Sequence, residues 1–312
     1  MILKSSIRSR TIIKGSLFLI TIICLIYWTI TTDRNRHPIY SDNPSRGKFY
    51  QTFADNLAVV ENYTSNVSRP YMKKLSLDNE EIEMLSAQKE NNSHPQVVVT
   101  AVSANHYWES QGLIKDIHQQ SFYFYPEIKL IVYDLGLTKL QLLAMHKYCK
   151  CEVRTFEFDH YLDHVKNLKG CTWKPIIIQL MLREYNFIIW NDASLRYNGK
   201  QYGLENVFKD TRKHGLQLMG GGMSYITSRN SKNTFEVLKE DPCIFSNYVE
   251  VQVTWMFFER SALIVYAVMR PWVACALHYR CMDFQNSNSL LNCTNESIVP
   301  ITGLINQLLV LY

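Results

Sequence analysis

The sequence predicts an α/β fold with a mainly parallel sheet flanked by helices, preceded by one transmembrane helix and a stem. Three observations support this prediction. Apolar runs of strand length alternate with helical segments after residue 95, an uncharged apolar run lies near the N-terminus, and a polar stretch separates the two. Alternating strands and helices are typical of parallel sheets with covering helices.

Composition narrows the class of protein. The chain has 312 residues, of which 47% are hydrophobic and 20% are charged, as in a globular protein. The net charge of +5 is modest, and the basic residues are scattered without a stripe interleaved with aromatic residues. This pattern argues against a nucleic-acid-binding protein.

The N-terminal apolar run predicts a signal-anchor. Residues 15–30 carry no charge and approach the lower length limit for a membrane-spanning helix. A cleaved signal peptide is the alternative, but the run is long for one and no small-x-small cleavage site precedes Thr31. We therefore predict a cytosolic tail at 1–14 and a transmembrane segment at 15–32.

N-glycosylation sequons indicate the orientation of the chain. None lies between Val97 and Leu290, as expected of a packed lumenal domain with glycosylated flanks. The basic residues on the two sides of the apolar run are nearly balanced, so charge alone does not set the orientation. We expect a single-pass type II protein of the Golgi or ER membrane with its body in the lumen. The sequons begin at Asn62, Asn66, Asn91, Asn292 and Asn295.

A stem and the first half of a lumenal domain follow the anchor. Residues 33–95 are polar and predict a lumenal stem, with one short helix at 75–89. The lumenal domain is predicted to span residues 96–312. Its first elements are a strand at 97–103, a helix at 111–120, a strand at 128–133, a helix capped by Thr138, a strand at 152–158 and a helix with Pro175 in its first turn.

The central strand is predicted at 187–190, where four apolar residues precede Asn191, Asp192 and Ser194. In a parallel sheet the ligand crevice lies beyond the carboxyl ends of such strands. A carboxylate at this place could hold a divalent cation, which in turn could hold a diphosphate. The alternative role for Asp192 is to cap the next turn.

The second half of the domain has a looser pattern. A long apolar and aromatic stretch at 249–269 contains Glu250, Gln252, Glu259 and Arg260, so we do not predict a second membrane span there. Before it we predict a helix at 204–211, a strand at 216–219, flexible or left-handed backbone at 220–222, and a helix at 233–239 capped from 227–230.

The cysteines are consistent with an oxidising compartment. Seven of the eight lie beyond the predicted anchor, and disulfides are expected among them. Because seven is odd, at least one is free or paired to another chain. The spacing of Cys149 and Cys151 is too short for a zinc knuckle, so no zinc site is expected there.

Six segments, distributed over most of the predicted lumenal domain, carry a resemblance: VVVTAVSANHYWES (97–110), IVYDLGL (131–137), EVRTFEFDHYLDHV (152–165), CTWKPIII (171–178), IIWNDASLR (188–196) and RPWVACALHYRC (270–281). Together they resemble an animal family of uncharacterised type II membrane proteins, described as a domain of unknown function and similar to GT-A nucleotide-sugar glycosyltransferases. The resemblance implies a GT-A-like fold, a nucleotide-sugar donor such as a UDP-sugar, and Mn²⁺ as the cofactor.

The resemblance also assigns expected roles to residues. The exit loop of the first strand and a carboxylate after a nearby strand would hold the nucleotide, at Asn105 and Asp134. A central strand would end in an Asp-x-Asp motif that binds manganese and the diphosphate. Here the motif is Asp192-Ala-Ser194, so Asp192 is the expected metal ligand and catalytic residue, and Ser194 is an expected cofactor-binding residue. Lys174 would offset the negative charge of the diphosphate. In the alternative interpretation, Lys174 is a solvated residue before a helix.

Other residues are weaker candidates. Glu250 could act as the general base for an acceptor hydroxyl, with a solvated carboxylate as the alternative. His160 and His164 are four residues apart, but the segment is not clearly helical and a metal site there is not expected. Three tryptophans could stack on sugar rings or belong to the core: Trp173, Trp255 and Trp272.

Two functions follow from these expectations. The first is a Golgi glycosyltransferase that transfers a sugar from a nucleotide-sugar to a glycan or glycoprotein. The second is a non-catalytic lumenal protein of the same fold that binds a glycan or a protein partner. The single carboxylate of Asp192-Ala-Ser194 favours the second function, and so does the segment 301–309, which departs from the pattern of the resembled family.

Overall fold

A computed structural model describes residues 69–87, 95–197, 204–218, 221–238, 242–245 and 249–282. All of these residues belong to the second of two compact units, which spans 49–312. The predicted anchor, the five sequons and the segment 301–309 lie outside the described residues. Among the helices that are described, none combines the length and the apolar character needed to cross a membrane.

Eight strands are described: β1 (Val97–Val102), β2 (Lys129–Asp134), β3 (Glu152–Thr155), β4 (Phe187–Asn191), β5 (Leu216–Leu218), β6 (Gly221–Tyr225), β7 (Val249–Val251) and β8 (Trp255–Glu259). Six of them form one sheet in the order β3-β2-β1-β4-β8-β5. The first four strands of this order are parallel, and β8 runs antiparallel to both β4 and β5. β6 and β7 form a separate antiparallel pair.

The helices of the described chain are α1 (Arg69–Lys74), α2 (Asn79–Ala87), α3 (Tyr107–Asp116), α4 (Phe122–Phe124), α5 (Lys139–Tyr148), α6 (Trp173–Glu184), α7 (Leu204–His214), α8 (Ile226–Arg229), α9 (Lys232–Leu238), α10 (Ala262–Ile264) and α11 (Arg270–Leu277). A π-helical turn at Ile117–Ser121 joins α3 to α4, and another at Val265–Met269 joins α10 to α11. Short 3₁₀ turns lie at Ala104–His106, Phe158–His160, Asp163–Lys166, Leu168–Gly170 and Pro242–Phe245.

Both faces of the sheet are covered, which explains why its central strands are apolar throughout. Every residue of β1 and of β4 is buried. Val97 and Val99 belong to a core cluster shared with α6 and α11, whereas Val98 and Val102 belong to a second cluster with α3 and α7. Successive side chains of a strand point to opposite faces, so a strand between two helical layers needs apolar residues at every position.

The chain order creates a switch point between β1 and β4. From β1 the chain moves outward through β2 to β3, and then returns to place β4 on the other side of β1. Connections leave in opposite directions at such a point, which opens a crevice at the carboxyl ends of the two strands. This rule places the expected crevice where Ser103 follows β1 and Asp192 follows β4.

Most predicted elements are confirmed, with shifts at their ends. Within the described residues, the helix predicted at 75–89 forms at Asn79–Ala87 (α2), and α1, which precedes it, was not predicted. The third strand ends at Thr155 rather than at residue 158, because the following residues turn into a 3₁₀ helix. Thr138 caps α5 in a capping box with Gln141. The cap of α9 is Ser231, whose Oγ accepts the Thr234 N–H at 3.2 Å, because residues 226–229 already form α8.

Disulfides are present, as the cysteine content predicted. Cys149 is bonded to Cys151, and Cys275 is bonded to Cys281. Cys243 is also disulfide-bonded. Within the described part of the chain, Cys171 is a free thiol, in agreement with the odd count.

Candidate functional site

The centre of the candidate site is an ion pair at the carboxyl end of β4. The Lys174 Nζ lies 2.7 Å from Oδ1 and 3.0 Å from Oδ2 of Asp192. The Trp190 indole Nε1 donates a further hydrogen bond to Oδ1 at 2.7 Å. The Lys174 side chain is only 8% exposed, whereas that of Asp192 is 24% exposed. Asp192 is therefore the more exposed member of the pair.

Two elements bring this pair together. Lys174 belongs to the first turn of α6, and Asp192 follows the last residue of β4. The Asp192 N–H donates to the Thr254 carbonyl at 2.8 Å, while the Asp192 carbonyl accepts the Leu195 N–H at 2.9 Å. These backbone bonds fix the turn after β4, so the Asp192 side chain is held against the start of α6. The described partners of the Asp192 carboxylate are Lys174 and Trp190 rather than backbone N–H groups of the turn, so its side chain does not take the alternative capping role.

The nucleotide-binding candidates lie at the same edge of the sheet. Asn105 is exposed in the turn after β1, where its Oδ1 accepts the Ser103 hydroxyl at 2.6 Å. Asp134 ends β2, and its Oδ1 accepts the backbone N–H groups of Gly136 at 2.7 Å and Leu137 at 2.6 Å. Since β1 separates β2 from β4, the backbones at Asp134 and Asp192 are about 10 Å apart, which is two strand spacings. The known contacts of Asp134 are those of a turn-capping carboxylate.

Ser194 and Glu250 occupy different surroundings. Ser194 is exposed in the turn that Asp192 and Leu195 close, and its cofactor-binding role stays a prediction. Glu250 lies on β7, which belongs to the two-stranded sheet rather than to the six-stranded one. The role of Glu250 as a general base stays a prediction.

Arg196 joins the turn after β4 to the helix after β1. Its guanidinium donates to the carbonyls of Ala193 at 2.9 Å, Leu195 at 2.6 Å and Glu109 at 2.5 Å. It packs on Gly112, where an added Cβ would lie 2.5 Å from the Arg196 Nε. One guanidinium thus ties both walls of the crevice together. Sequence analysis gave Arg196 no role, since nothing local in the sequence indicates this long-range contact.

Asn191 and Tyr197 form a second polar contact beneath the turn. The fully buried Asn191 donates its Nδ2–H to the Tyr197 hydroxyl at 2.6 Å. Burial raises the pKa of Tyr197 to about 12, so the phenol stays protonated. The sequence predicted Asn191 only as a polar residue at the end of the central strand, and it predicted no role for Tyr197.

Two of the three tryptophans proposed to stack on sugars are packed inside the protein. Trp173 is 9% exposed and Trp272 is 1% exposed. Trp255 is half-buried and packs against Tyr197 with ring centroids 5.5 Å apart. The core alternative is therefore confirmed for Trp173 and Trp272. Trp108, which was not singled out, is 80% exposed in the first turn of α3 beside the crevice.

The two histidines do not share a helical face. His160 is exposed in one 3₁₀ turn, while His164 lies in the next and its Nε2 contacts the Ala276 carbonyl at 2.9 Å. Across the described residues, no group of three or more His, Cys, Asp or Glu side chains is arranged to hold a metal ion.

The donor set at Asp192 does not fit a divalent cation. Such an ion needs several oxygen ligands with free lone pairs. Among the described residues one carboxylate is available here, its Oδ1 already accepts two hydrogen bonds, and a lysine ammonium lies in direct contact with both oxygens. An added cation would have to share these oxygens with a positive charge about 3 Å away.

A family model matches the chain over the part that contains β1, β2, β3 and most of α6. Residues 49–179 match the family described as Protein of unknown function (DUF1647). This DUF1647 match confirms the resemblance to an uncharacterised family. A comparison with curated proteins found no match.

Comparison with solved structures found glycosyltransferases at low identity. The mannosyltransferase Ktr4p from S. cerevisiae is 10% identical, with a TM-score of 0.40 over 80% of this chain and 76% of that one. Core-mannan synthase A from Aspergillus fumigatus, in its Mn/GDP form, is 8% identical, with a TM-score of 0.42 over 81% and 76%. Mouse xyloside xylosyltransferase 1 is 12% identical, with a TM-score of 0.38 over 62% and 81%.

Proposed function

We propose that the protein is a Golgi glycosyltransferase that transfers a sugar from a nucleotide-sugar donor to a glycan or glycoprotein. The observation that carries the proposal is the β1/β4 switch point of the sheet, with Asn105, Asp134 and Asp192 at or just after the carboxyl ends of its parallel strands. Open α/β sheets bind their ligands at this place. The proposal rests on this switch point rather than on the low-scoring structural likenesses.

The residues of the crevice suit a nucleoside diphosphate. The backbone of the turn at Ala104–His106 is fixed by the Gln141 side chain, which donates to the Ala104 carbonyl at 3.1 Å. Asn105 is exposed on this turn and can meet the nucleoside, while the Lys174 ammonium supplies positive charge for the phosphates. The rate would come mainly from stabilising the leaving diphosphate and from positioning the acceptor, with Glu250 as the proposed base.

Membrane topology forms part of the proposal. The chain would be a type II Golgi or ER membrane protein with its body in the lumen, carrying N-glycans on its flanks. The sequon distribution and the uncharged run at 15–30 support this placement.

Nucleotide binding by the full chain tests the proposal. We would titrate it calorimetrically with UDP, GDP and UDP-sugars, with and without Mn²⁺. Lys174→Met should weaken binding about 10- to 100-fold, because a hydrogen bond to a charged group contributes roughly 1.5–3 kcal/mol. Lys166→Met is the matched control, since Lys166 is exposed and pairs only with Asp159 and Asp163.

Two results would contradict the proposal that the protein is a glycosyltransferase. In the first, folded wild-type protein binds none of these ligands. In the second, Lys166→Met reduces binding as much as Lys174→Met does. Either result would transfer support to the second candidate, a non-catalytic lumenal protein that binds a glycan or a protein partner. The observation that favours this candidate is the single carboxylate of Asp192-Ala-Ser194.

A further inference from the structure

The feature of the site that still needs an explanation is that Lys174 is buried in direct contact with the Asp192 carboxylate. A lysine that only decorated the start of a helix would extend into solvent, because its ammonium is strongly hydrated. Lys174 instead keeps 6% of its surface exposed and directs its ammonium at both Asp192 oxygens. A buried charge of this kind requires a partner, and here the partner is the residue expected to bind metal.

The carboxylate is oriented toward the lysine rather than toward an ion. The Trp190 indole N–H holds Oδ1 from one side, and Nζ of Lys174 contacts both oxygens from another. The Lys174 Nζ also lies 5.6 Å from the Trp190 ring, whose face attracts a cation. Three contacts among Lys174, Asp192 and Trp190 therefore stabilise an ammonium at this point.

The charge of the site is balanced without a metal. A divalent cation held by two carboxylates has no net charge. One ammonium paired with one carboxylate has no net charge either. The site has Ser194 where a second carboxylate would be needed, and it has Lys174 where a cation would be needed. One carboxylate with one monovalent cation thus has the same net charge as two carboxylates with one divalent cation.

We propose that this site works without a bound divalent cation, and that the Lys174 ammonium, positioned by Asp192 and Trp190, receives the donor diphosphate. This inference rests on the proposed glycosyltransferase function and specifies its cofactor requirement. In it Asp192 is a positioning residue for Lys174, not a metal ligand.

The ammonium retains the capacity to bind a phosphate. It has three N–H donors. Two are directed at the Asp192 oxygens, and no third acceptor for Lys174 is found among the residues the structure describes. A phosphate oxygen entering the crevice can accept the remaining N–H. An ammonium–phosphate hydrogen bond is charge-assisted and gains strength from the low exposure of the side chain.

Titration with Mn²⁺ alone tests the metal half of the inference. We would follow the free Mn²⁺ signal by electron paramagnetic resonance as the ion is added to the full wild-type chain. The expected result is no stoichiometric site that depends on Asp192. A one-to-one site that disappears in Asp192→Asn but persists in the exposed control Asp163→Asn would overturn the inference.

Nucleotide titration tests the phosphate half. UDP and GDP should bind equally well in EDTA and in Mn²⁺, and Lys174→Met should weaken both about equally. Binding that requires Mn²⁺ would overturn this inference and leave the proposed function standing. Absence of nucleotide binding in every condition would overturn the phosphate role together with the proposed function, while the Mn²⁺ titration would still decide whether Asp192 is a ligand.

A designed conversion provides the converse test. Lys174→Met removes the ammonium but keeps an unbranched apolar chain, and Ser194→Asp supplies a second carboxylate. The double variant should gain an Mn²⁺ site at least about 10-fold tighter than the wild type, because the competing charge is gone and two carboxylates are present. Ser194→Asp alone should gain less, because Lys174 still occupies Asp192. Equal gains in the single and double variants would show that Lys174 does not compete with metal.

Discussion

At the scale of single residues, the partners of a side chain decide its chemistry. Asp192 was predicted from its place after a buried strand, and that place is confirmed. Its contact with Lys174 joins residues 18 positions apart and was not predicted. The sequence analysis weighed the two residues separately, Asp192 for metal and Lys174 for phosphate. The structure shows that the two side chains form an ion pair with each other.

The titration of His278 gives a prediction at this scale. Burial, and then the nearby charges of Arg280 and His164, lower the pKa of His278 from 6.5. Because the unfolded chain binds the proton more readily, stability is fully present above pH 6.5 and decreases as the pH falls through the lowered pKa. His278→Gln should flatten this decrease in the free energy of unfolding, measured by urea denaturation between pH 5 and 8.

Part of the slope should remain in that variant. Burial, and then Lys150, also lower the pKa of His118, whose Nε2 has no hydrogen-bond partner in the described structure. The double variant His118→Gln/His278→Gln should be the flattest of the set. An unchanged slope in His278→Gln would contradict the assignment, because the acid sensitivity would then come from other groups.

At the scale of elements, the crevice depends on how the turn after β4 meets α3. Three carbonyls from both elements converge on the Arg196 guanidinium, and Gly112 leaves room for it. Glycine lowers helix stability relative to alanine by about 1 kcal/mol. Its presence in α3 therefore has a packing reason, namely the close approach of Arg196.

A double-mutant cycle tests this contact. Gly112→Ala should destabilise the wild type by about 2 kcal/mol, because the new Cβ displaces the guanidinium, whose three hydrogen bonds are worth about 1 kcal/mol each, and the gain in helix propensity offsets about 1 kcal/mol of that loss. In an Arg196→Ala background the same change should stabilise by about 0.5–1 kcal/mol, since only the helix propensity remains. The measurement is urea denaturation of all four proteins, and equal effects in both backgrounds would refute the contact.

The elements also show where sequence patterns lose precision. The apolar runs at β1 and β4 were assigned to within one residue, because both faces of these strands are buried. The segment after β3 was less predictable, since Phe156 to Lys166 forms consecutive 3₁₀ turns that have no periodic signal. β8 could not be assigned an antiparallel direction from the stretch at 249–269, because pairing partners are set by tertiary contacts.

At the scale of the whole molecule, the described sheet places the candidate binding residues at one edge. The turn after β1, the end of β2 and the turn after β4 all lie at the carboxyl ends of parallel strands. Elsewhere the sheet is covered by two apolar clusters. This separation gives the molecule one edge at which a polar ligand can contact several strands at once.

Glycan attachment tests the proposed orientation of the molecule. The full chain, expressed in cells with a secretory pathway, should shift to higher mobility on gels after treatment with an N-glycosidase. Replacing Asn by Gln at all five sequons should remove the shift. The same substitution at Asn105, which is not part of a sequon, should leave the shift unchanged. A chain without the shift would contradict a lumenal body.

The sequence by itself determined the α/β class, the order of strands and helices, and the placement of Asp192 after the central strand. These features follow from local patterns, because burial between two layers requires apolar runs and strand ends require polar residues. Only the tertiary structure decided the Lys174–Asp192 pair, the Arg196 contact and the burial of Trp173 and Trp272. Those depend on which distant side chains meet, and charge compensation in a buried site is a property of that meeting rather than of any local pattern.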